Sequence, residues 1–238
     1  MSRWLVEIAS VVKDYAGGQP LRVTALRVDR GDRLTLAGFD AGAAETLIHL
    51  ITGAALPDEG DVRIAGASTR EIATDTAWLS SLDRFGLVTA RAVLLDTLTL
   101  ADNLALPLTV SIDPVPDEVR PRIEALADAV GLGRDRLPAP VQSLSPVERV
   151  RLHLARALAS DPALLLLEHA TAGLDAASSA SIGATLRQVA DARRLGWIAL
   201  SDDDAFARAA GGKRLRLESS GALREAGWWR GVFGRKTR

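Results

Sequence analysis

The stretch Leu34-Thr35-Leu36-Ala37-Gly38-Phe39-Asp40-Ala41-Gly42-Ala43-Ala44-Glu45-Thr46-Leu47-Ile48-His49-Leu50-Ile51-Thr52-Gly53 decides how the chain is read. Its first four residues form a short run with strand character. Small residues from Gly38 to Ala44 read as a loop, and Leu47, Leu50 and Ile51 then recur at helical spacing until Gly53 ends them. Strand, glycine-bearing loop and helix follow one another without a spacer. Upstream, residues 5–12 and 21–28 read as strands joined across Gly17-Gly18, and Arg30-Gly31-Asp32-Arg33 marks a second tight turn. Downstream, Pro57-Asp58-Glu59-Gly60 turns into the strand Val62-Arg63-Ile64. Residues 91–142 read as mainly helical and carry the cluster Pro114, Pro116 and Pro121, so a subdomain inserted at about 91–150 is expected. Residues 145–158 then predict a helix, 163–167 a buried strand, 176–192 a helix and 197–200 a strand. Strands alternating with helices imply an α/β fold around a mainly parallel sheet.

Composition narrows the function classes. With 47% hydrophobic and 25% charged residues, the 238-residue chain can bury the core of one large domain, with or without a subdomain. Its 29 basic and 30 acidic residues nearly cancel, which argues against a surface built to neutralise many phosphates and so against a nucleic-acid partner. The absence of cysteine excludes disulfides and thiolate metal sites. An acid, Glu7, comes within seven residues of the start, and no apolar run approaches the roughly 18 residues of a membrane span, so a soluble, cytoplasmic protein is expected.

Four further landmarks follow in order: residues 53–66 with Pro57-Asp58-Glu59-Gly60, the segment Leu98-Thr99-Leu100-Ala101-Asp102-Asn103-Leu104-Ala105-Leu106-Pro107-Leu108, the helix ending Leu154-Ala155-Arg156-Ala157-Leu158, and residues 164–167 followed by Thr171 and Gly173-Leu174-Asp175. From residue 5 to about 218 this order resembles the ATP-binding (nucleotide-binding) domain of ABC transporters, with wording similar to the lipoprotein-releasing and macrolide-export ATPases. The resemblance implies a P-loop NTPase (RecA-like) core, an N-terminal antiparallel β subdomain and an inserted helical subdomain. It also implies ATP and magnesium as cofactors, a membrane permease subunit as partner, and pairing with a second ATPase-like chain or a second copy.

The same resemblance shows what has been replaced. In G-x-x-x-x-G-K-[ST], backbone N–H groups hold the phosphates, the lysine neutralises them and the hydroxyl coordinates magnesium. Here Gly38, Asp40, Gly42 and Thr46 lie in the aligned string, Ala44 stands at the lysine position and Glu45 at the magnesium-binding serine. One close charge pair is worth about 4 kcal/mol at an effective dielectric near 20, so the loop's change of sign works against nucleotide binding. On that charge argument, Ala44→Lys with Glu45→Ser would restore it. An alternative role for Asp40 or Glu45 is to occupy the anion hole itself. Ala90 takes the place of the family's magnesium-sensing glutamine. Leu144-Ser145-Pro146-Val147-Glu148 replaces the L-S-G-G-Q signature, keeping Ser145 and losing an N–H at Pro146. Glu168-His169 replaces the family's Asp-Glu pair, leaving Glu168 as the remaining metal candidate, and Asp202 replaces the switch histidine. Tyr15 matches the adenine-stacking aromatic and Asp175 an acid at the dimer seam.

These substitutions lead to the expectation of a pseudo-ATPase with weak or absent ATP and magnesium binding and a structural or regulatory role in a transport complex. A divergent ATPase using Glu168 and His169, and a free-standing soluble interaction protein, are the two alternatives. Residues 1–222 are expected to form the domain. Residues 223–238, with Trp228, Trp229 and Phe233 among basic residues, are expected to form a tail suited to an anionic membrane surface.

Overall fold

A computed structural model of the chain describes residues 4–16, 18–72, 74–89, 91–112 and 114–226. In chain order the elements are β1 (Val6–Lys13), β2 (Leu21–Val28), β3 (Arg33–Ala37), α1 (Ala41–Thr52), β4 (Glu59–Ile64), β5 (Ala67–Ser68), α2 (Asp75–Leu82) and β6 (Phe85–Thr89). There follow α3 (Leu100–Ala105), α4 (Arg120–Ala129), α5 (Pro146–Ala157), β7 (Leu164–Glu168), α6 (Ala176–Arg193), β8 (Gly196–Leu200), α7 (Asp204–Ala210), β9 (Lys213–Leu217) and β10 (Leu223–Glu225).

The N-terminal strands form one antiparallel sheet in the order β2-β1-β4-β5. In β2, Leu21 and Val23, then Leu26 and Val28, are buried while Arg22, Thr24, Ala25 and Arg27 are exposed, a strand of a sheet with one solvated face whose alternation shifts by one residue at Thr24-Ala25. Gly60 is needed at the β1–β4 bulge: its φ is 78°, and a Cβ there would lie 2.3 Å from the Ser10 carbonyl oxygen.

The second sheet runs β10-β9-β3-β8-β7-β6, parallel from β9 to β6 with β10 antiparallel at its edge. All five residues of β7 are buried, as a central parallel strand covered on both faces requires. Its two-residue period divides the interior. Leu164 and Leu166 join Leu47, Leu50, Ile51 and Ile198 in the core between the sheets. Leu165 and Leu167 join Trp197, Leu104, Ile123, Leu152 and Phe206 on the other face. The helical insertion therefore shares a core with the parallel sheet.

Three sequence expectations change. Residues 91–98 are an irregular strap, and regular helix begins only at Leu100, where Thr99 and Asp102 cap α3 reciprocally. Two short helices and four short strands went unread: α2, α7, β5, β6, β9 and β10. α7 has seven residues and owes its start to Asp203, whose carboxylate accepts from the Ala205 and Phe206 N–H groups. Leu223–Glu225, the opening of the expected tail, pairs with β9. Residues 227–238, with Trp228 and Trp229, lie outside the described residues, as does Ala90.

Candidate functional site

Strands β3, β8, β7 and β6 are neighbours and parallel, so the residues leaving their carboxyl ends gather along one rim. These are Gly38, Asp202, Glu168 with His169, and Thr89 with Arg91. The crevice past such ends is where open α/β sheets bind ligands.

The β3–α1 connection is shorter than the sequence implies. The expected loop through Ala44 is only Gly38, Phe39 and Asp40, because α1 starts at Ala41. Asp40 is the reason. Its Oδ1 accepts from the Ala43 N–H at 2.7 Å, and its carbonyl accepts from the Ala44 N–H at 2.9 Å. The Thr46 hydroxyl donates to the Gly42 carbonyl at 2.7 Å. Tyr15 closes over this helix start: its hydroxyl donates to Asp40 Oδ2 at 3.2 Å, and a Cβ on Gly42 would lie 2.7 Å from its ring. Desolvation, reinforced by the Asp40 charge, raises the Tyr15 phenol above its ordinary value. Gly38, at φ 85°, donates its N–H to Asp202 Oδ1 at 3.1 Å, and the same oxygen takes Arg216 at 3.3 Å. Ala44, at the lysine position, is 0% exposed and packs in the core between the sheets. A lysine there would start from that core, so packing stands beside charge in deciding what the position can hold.

Beyond this start, an arginine joins the two acids that match metal-facing positions. Arg91 Nη1 lies 2.6 Å from Glu45 Oε2, and its Nη2 pairs with Glu168 Oε2. The Glu168 side chain is only 9% exposed, against 42% for Arg91 and 40% for Glu45, so it is the acid most in need of a counter-charge. His49 stands 3.9 Å from Glu45 one turn along α1. Sequence reasoning missed Arg91. The signal was the acid-rich β3–α1 stretch, which calls for a cation, but Arg91 is 46 residues from Glu45 and 77 from Glu168. His169 follows Glu168 at φ 42°, held by its N–H to the Leu200 carbonyl, and its Nε2 is buried without a partner among the described residues.

Ser145 and Asp175 stand apart from this cluster, each capping its own helix. The Ser145 hydroxyl donates to Glu148 Oε2 at 2.7 Å, the Ser145 N–H donates to the same oxygen at 2.8 Å, and the Glu148 N–H returns a bond to the hydroxyl. Pro146 fits the first turn. Asp175 accepts from the Ser178 N–H at 2.8 Å, which holds its carboxyl below the usual range. Between α5 and the strap lies a cavity of about 400 Å³ lined by Leu94, Asp96, Arg149, His153 and His169. Burial, with Arg156 and Arg149 nearby, lowers His153 to about 4.

A parallel sheet whose strand β3 passes through glycine into α1, with an antiparallel sheet on one side and inserted helices on the other, defines the P-loop NTPase class of fold. The chain belongs to the ABC transporter family, whose sequence model matches residues 21–172. It is 32% identical to the lipoprotein-releasing system ATP-binding protein LolD of Pseudomonas syringae pv. tomato over 201 residues, covering 84% of this chain and 87% of that protein. It is 37% identical to the methionine import ATP-binding protein MetN 2 of Burkholderia mallei over 179 residues, 74% of this chain. The matched part spans 43% of that protein's length. Among solved structures, the fold is shared with cbiO1 of Clostridium perfringens, part of an ABC transporter complex, at a TM-score of 0.76 and 17% identity over 93% of this chain and 87% of that one. It is also shared with the ATP-binding cassette MJ0796, a dimer bound to ADP and phosphate, at 0.74 and 23% identity over 95% and 99%.

Proposed function

We propose that the chain is a pseudo-ATPase, a non-hydrolysing counterpart of ABC ATP-binding subunits that serves a structural or regulatory role in a transport complex. The carrying observation is the start of α1. Phosphate binding at such a helix needs backbone N–H groups that face outward with no other acceptor. Here the Asp40 carboxylate takes the Ala43 N–H and brings a negative charge to the helix end that a phosphate would have to approach. Ala44 supplies no compensating cation at the lysine position, and His169 stands where the resemblance places a glutamate.

The scaffold keeps what assembly requires. Exposed Leu87 and Val93 line two adjoining hollows of about 310 and 400 Å³ that meet at Ala92 and His153. Such an open surface, apolar at Leu87 and Val93 and polar at His153 and Arg156, supports a seat for a segment of a membrane permease at the cytoplasmic face. A second copy or a second ATPase-like chain is the other partner this reading includes.

Purified protein should show no magnesium-dependent ATP hydrolysis above a heat-killed control, and a calorimetric titration with ATP, with and without magnesium, should show no binding at millimolar nucleotide. Turnover that disappears on Glu168→Gln would replace this reading with that of a divergent ATPase.

A further inference from the structure

Magnesium, implied by the family, does not fit the residues at its expected position. The two acids that would face it, Glu45 and Glu168, already share one guanidinium, and no three acidic or histidine side chains gather as a metal site among the described residues. A dication and Arg91 would compete for the same oxygens. We propose that Arg91 is a built-in replacement for the metal, an internal cation that neutralises Glu45 and Glu168 and fastens the strap of residues 91–98 to the sheet without any ligand.

The strap's other attachments show what this fastening joins. Asn103, buried in α3, accepts from the Leu95 N–H at 3.0 Å and donates to the Leu95 carbonyl at 3.1 Å. From α5, Arg149 pairs with Asp96 at 2.8 Å and Arg156 donates to the Val93 carbonyl at 2.7 Å. The Gln142 N–H donates to the Asp96 carbonyl at 3.1 Å. Residues 93–96 are thus held by the helical insertion, and Arg91, two residues earlier, is held by α1 and β7. A planar fork presents separate N–H groups to two carboxylates at fixed geometry, where a lysine would have to bring both acids to one compact ammonium. The insertion is thereby tied to the sheet by charges within the chain.

The proposal rests on the pseudo-ATPase reading only in taking the site to work without bound magnesium, and it is tested with Mn²⁺ alone on the full chain. Titrated into the wild type at millimolar concentration, Mn²⁺ should keep the electron paramagnetic resonance spectrum of the free ion. In Arg91→Ala and Arg91→Met, Glu45 and Glu168 lose their cation and should bind Mn²⁺ weakly, in about the 0.1–1 mM range of sparse oxygen sites. Adding Glu168→Gln should abolish that binding. Amide exchange over residues 92–98 should be roughly tenfold or more faster in the Arg91 variants, the response to losing charge-assisted bonds, and Mn²⁺ should slow it again. Wild-type protein that binds Mn²⁺ as the variants do, or strap exchange unchanged by the loss of Arg91, would overturn the proposal. If neither variant folds, Arg91→Lys, which meets both acids only through one compact ammonium, gives the same two readouts at smaller amplitude. ATP turnover by the wild type would instead strike at the pseudo-ATPase reading and leaves the Mn²⁺ result to decide on Arg91.

Discussion

The starts of α1 and α5 are the two helix ends that the family resemblance directs at phosphate, and each meets a carboxylate of its own chain. At α5 the closure is local, since Ser145 and Glu148 satisfy one another within a single turn. At α1 it is assembled from distant parts: Asp40 caps the helix, Tyr15 from the β1–β2 connection holds Asp40, Asp202 from the end of β8 holds Gly38, and Arg91 from the end of β6 holds Glu45. A helix end has orphan donors and a partial positive charge whether or not a ligand exists, and here the Asp40 carboxylate takes the Ala43 N–H of α1 and the Ser145 hydroxyl the Glu148 N–H of α5. The α5 device survives anything that keeps the helix. The α1 device survives only if four segments stay together.

The sharpest break of this comparison is at Ala44. Placing Ala44→Lys with Glu45→Ser puts a charge on a helix face that is buried to 0% exposure. Urea unfolding should register a loss of roughly 3 kcal/mol or more, and the folded fraction should bind no ATP at millimolar concentration. A double variant as stable as the wild type that binds ATP would mean that the first turn of α1 unwinds into a cradle, and that closure there is a matter of charge alone.

Removing each cap sharpens the contrast. Ser145→Ala should cost about 1 kcal/mol, and Asp40→Ala about 1–2 kcal/mol because Asp40 also anchors Tyr15. Tyr15 is the chain's only tyrosine, so its ionisation can be followed by ultraviolet titration. Desolvation and the Asp40 charge raise its midpoint in the wild type, and Asp40→Ala should bring it down toward 10.0 while Ser145→Ala leaves it in place. A midpoint indifferent to Asp40 would separate Tyr15 from the closure.

The same division explains what could be read before the structure. The sheet was legible because β7, Leu164–Glu168, carries a run of four leucines between helical segments, and β2 consists of two short alternating runs, Leu21-Arg22-Val23 and Leu26-Arg27-Val28. Ser145-Pro146-Val147-Glu148 was legible as a surviving helix start because a cap is a matter of residues at fixed short spacing. The extent of α1 was not. Ala41-Gly42-Ala43-Ala44 has the composition of a loop, and only the Asp40 cap and the Tyr15 ring over Gly42 commit it to helix. Arg91 was invisible for a different reason, since nothing local distinguishes an arginine after a strand from a solvated one. β9 and α7 were missed because each is short: β9 is a Lys-Arg-Leu-Arg-Leu strand bearing exposed charges, and α7 a seven-residue helix that depends on its cap.

The smallest effect concerns acid, where the local device has a signature of its own. The Ser145 hydroxyl and N–H, with Arg136 nearby, hold the Glu148 carboxyl below its ordinary value of 4.5. In acid the folded chain therefore binds fewer protons at this site than the unfolded chain does. The cap's contribution is complete above the unfolded value and is lost as pH falls through 4.5 toward the lower folded one. Because the group is partly solvated, the amount is about 0.5–1 kcal/mol. Glu148→Gln keeps an oxygen in the same place without a titrating charge. At pH 7 it should be less stable than the wild type by about that amount, and the gap should close as urea midpoints are followed below pH 4.5. Stability curves that stay parallel to acid pH would show that the carboxylate adds nothing a neutral amide cannot supply, and that α5 is held by its packing against β6, α3, α4 and α6.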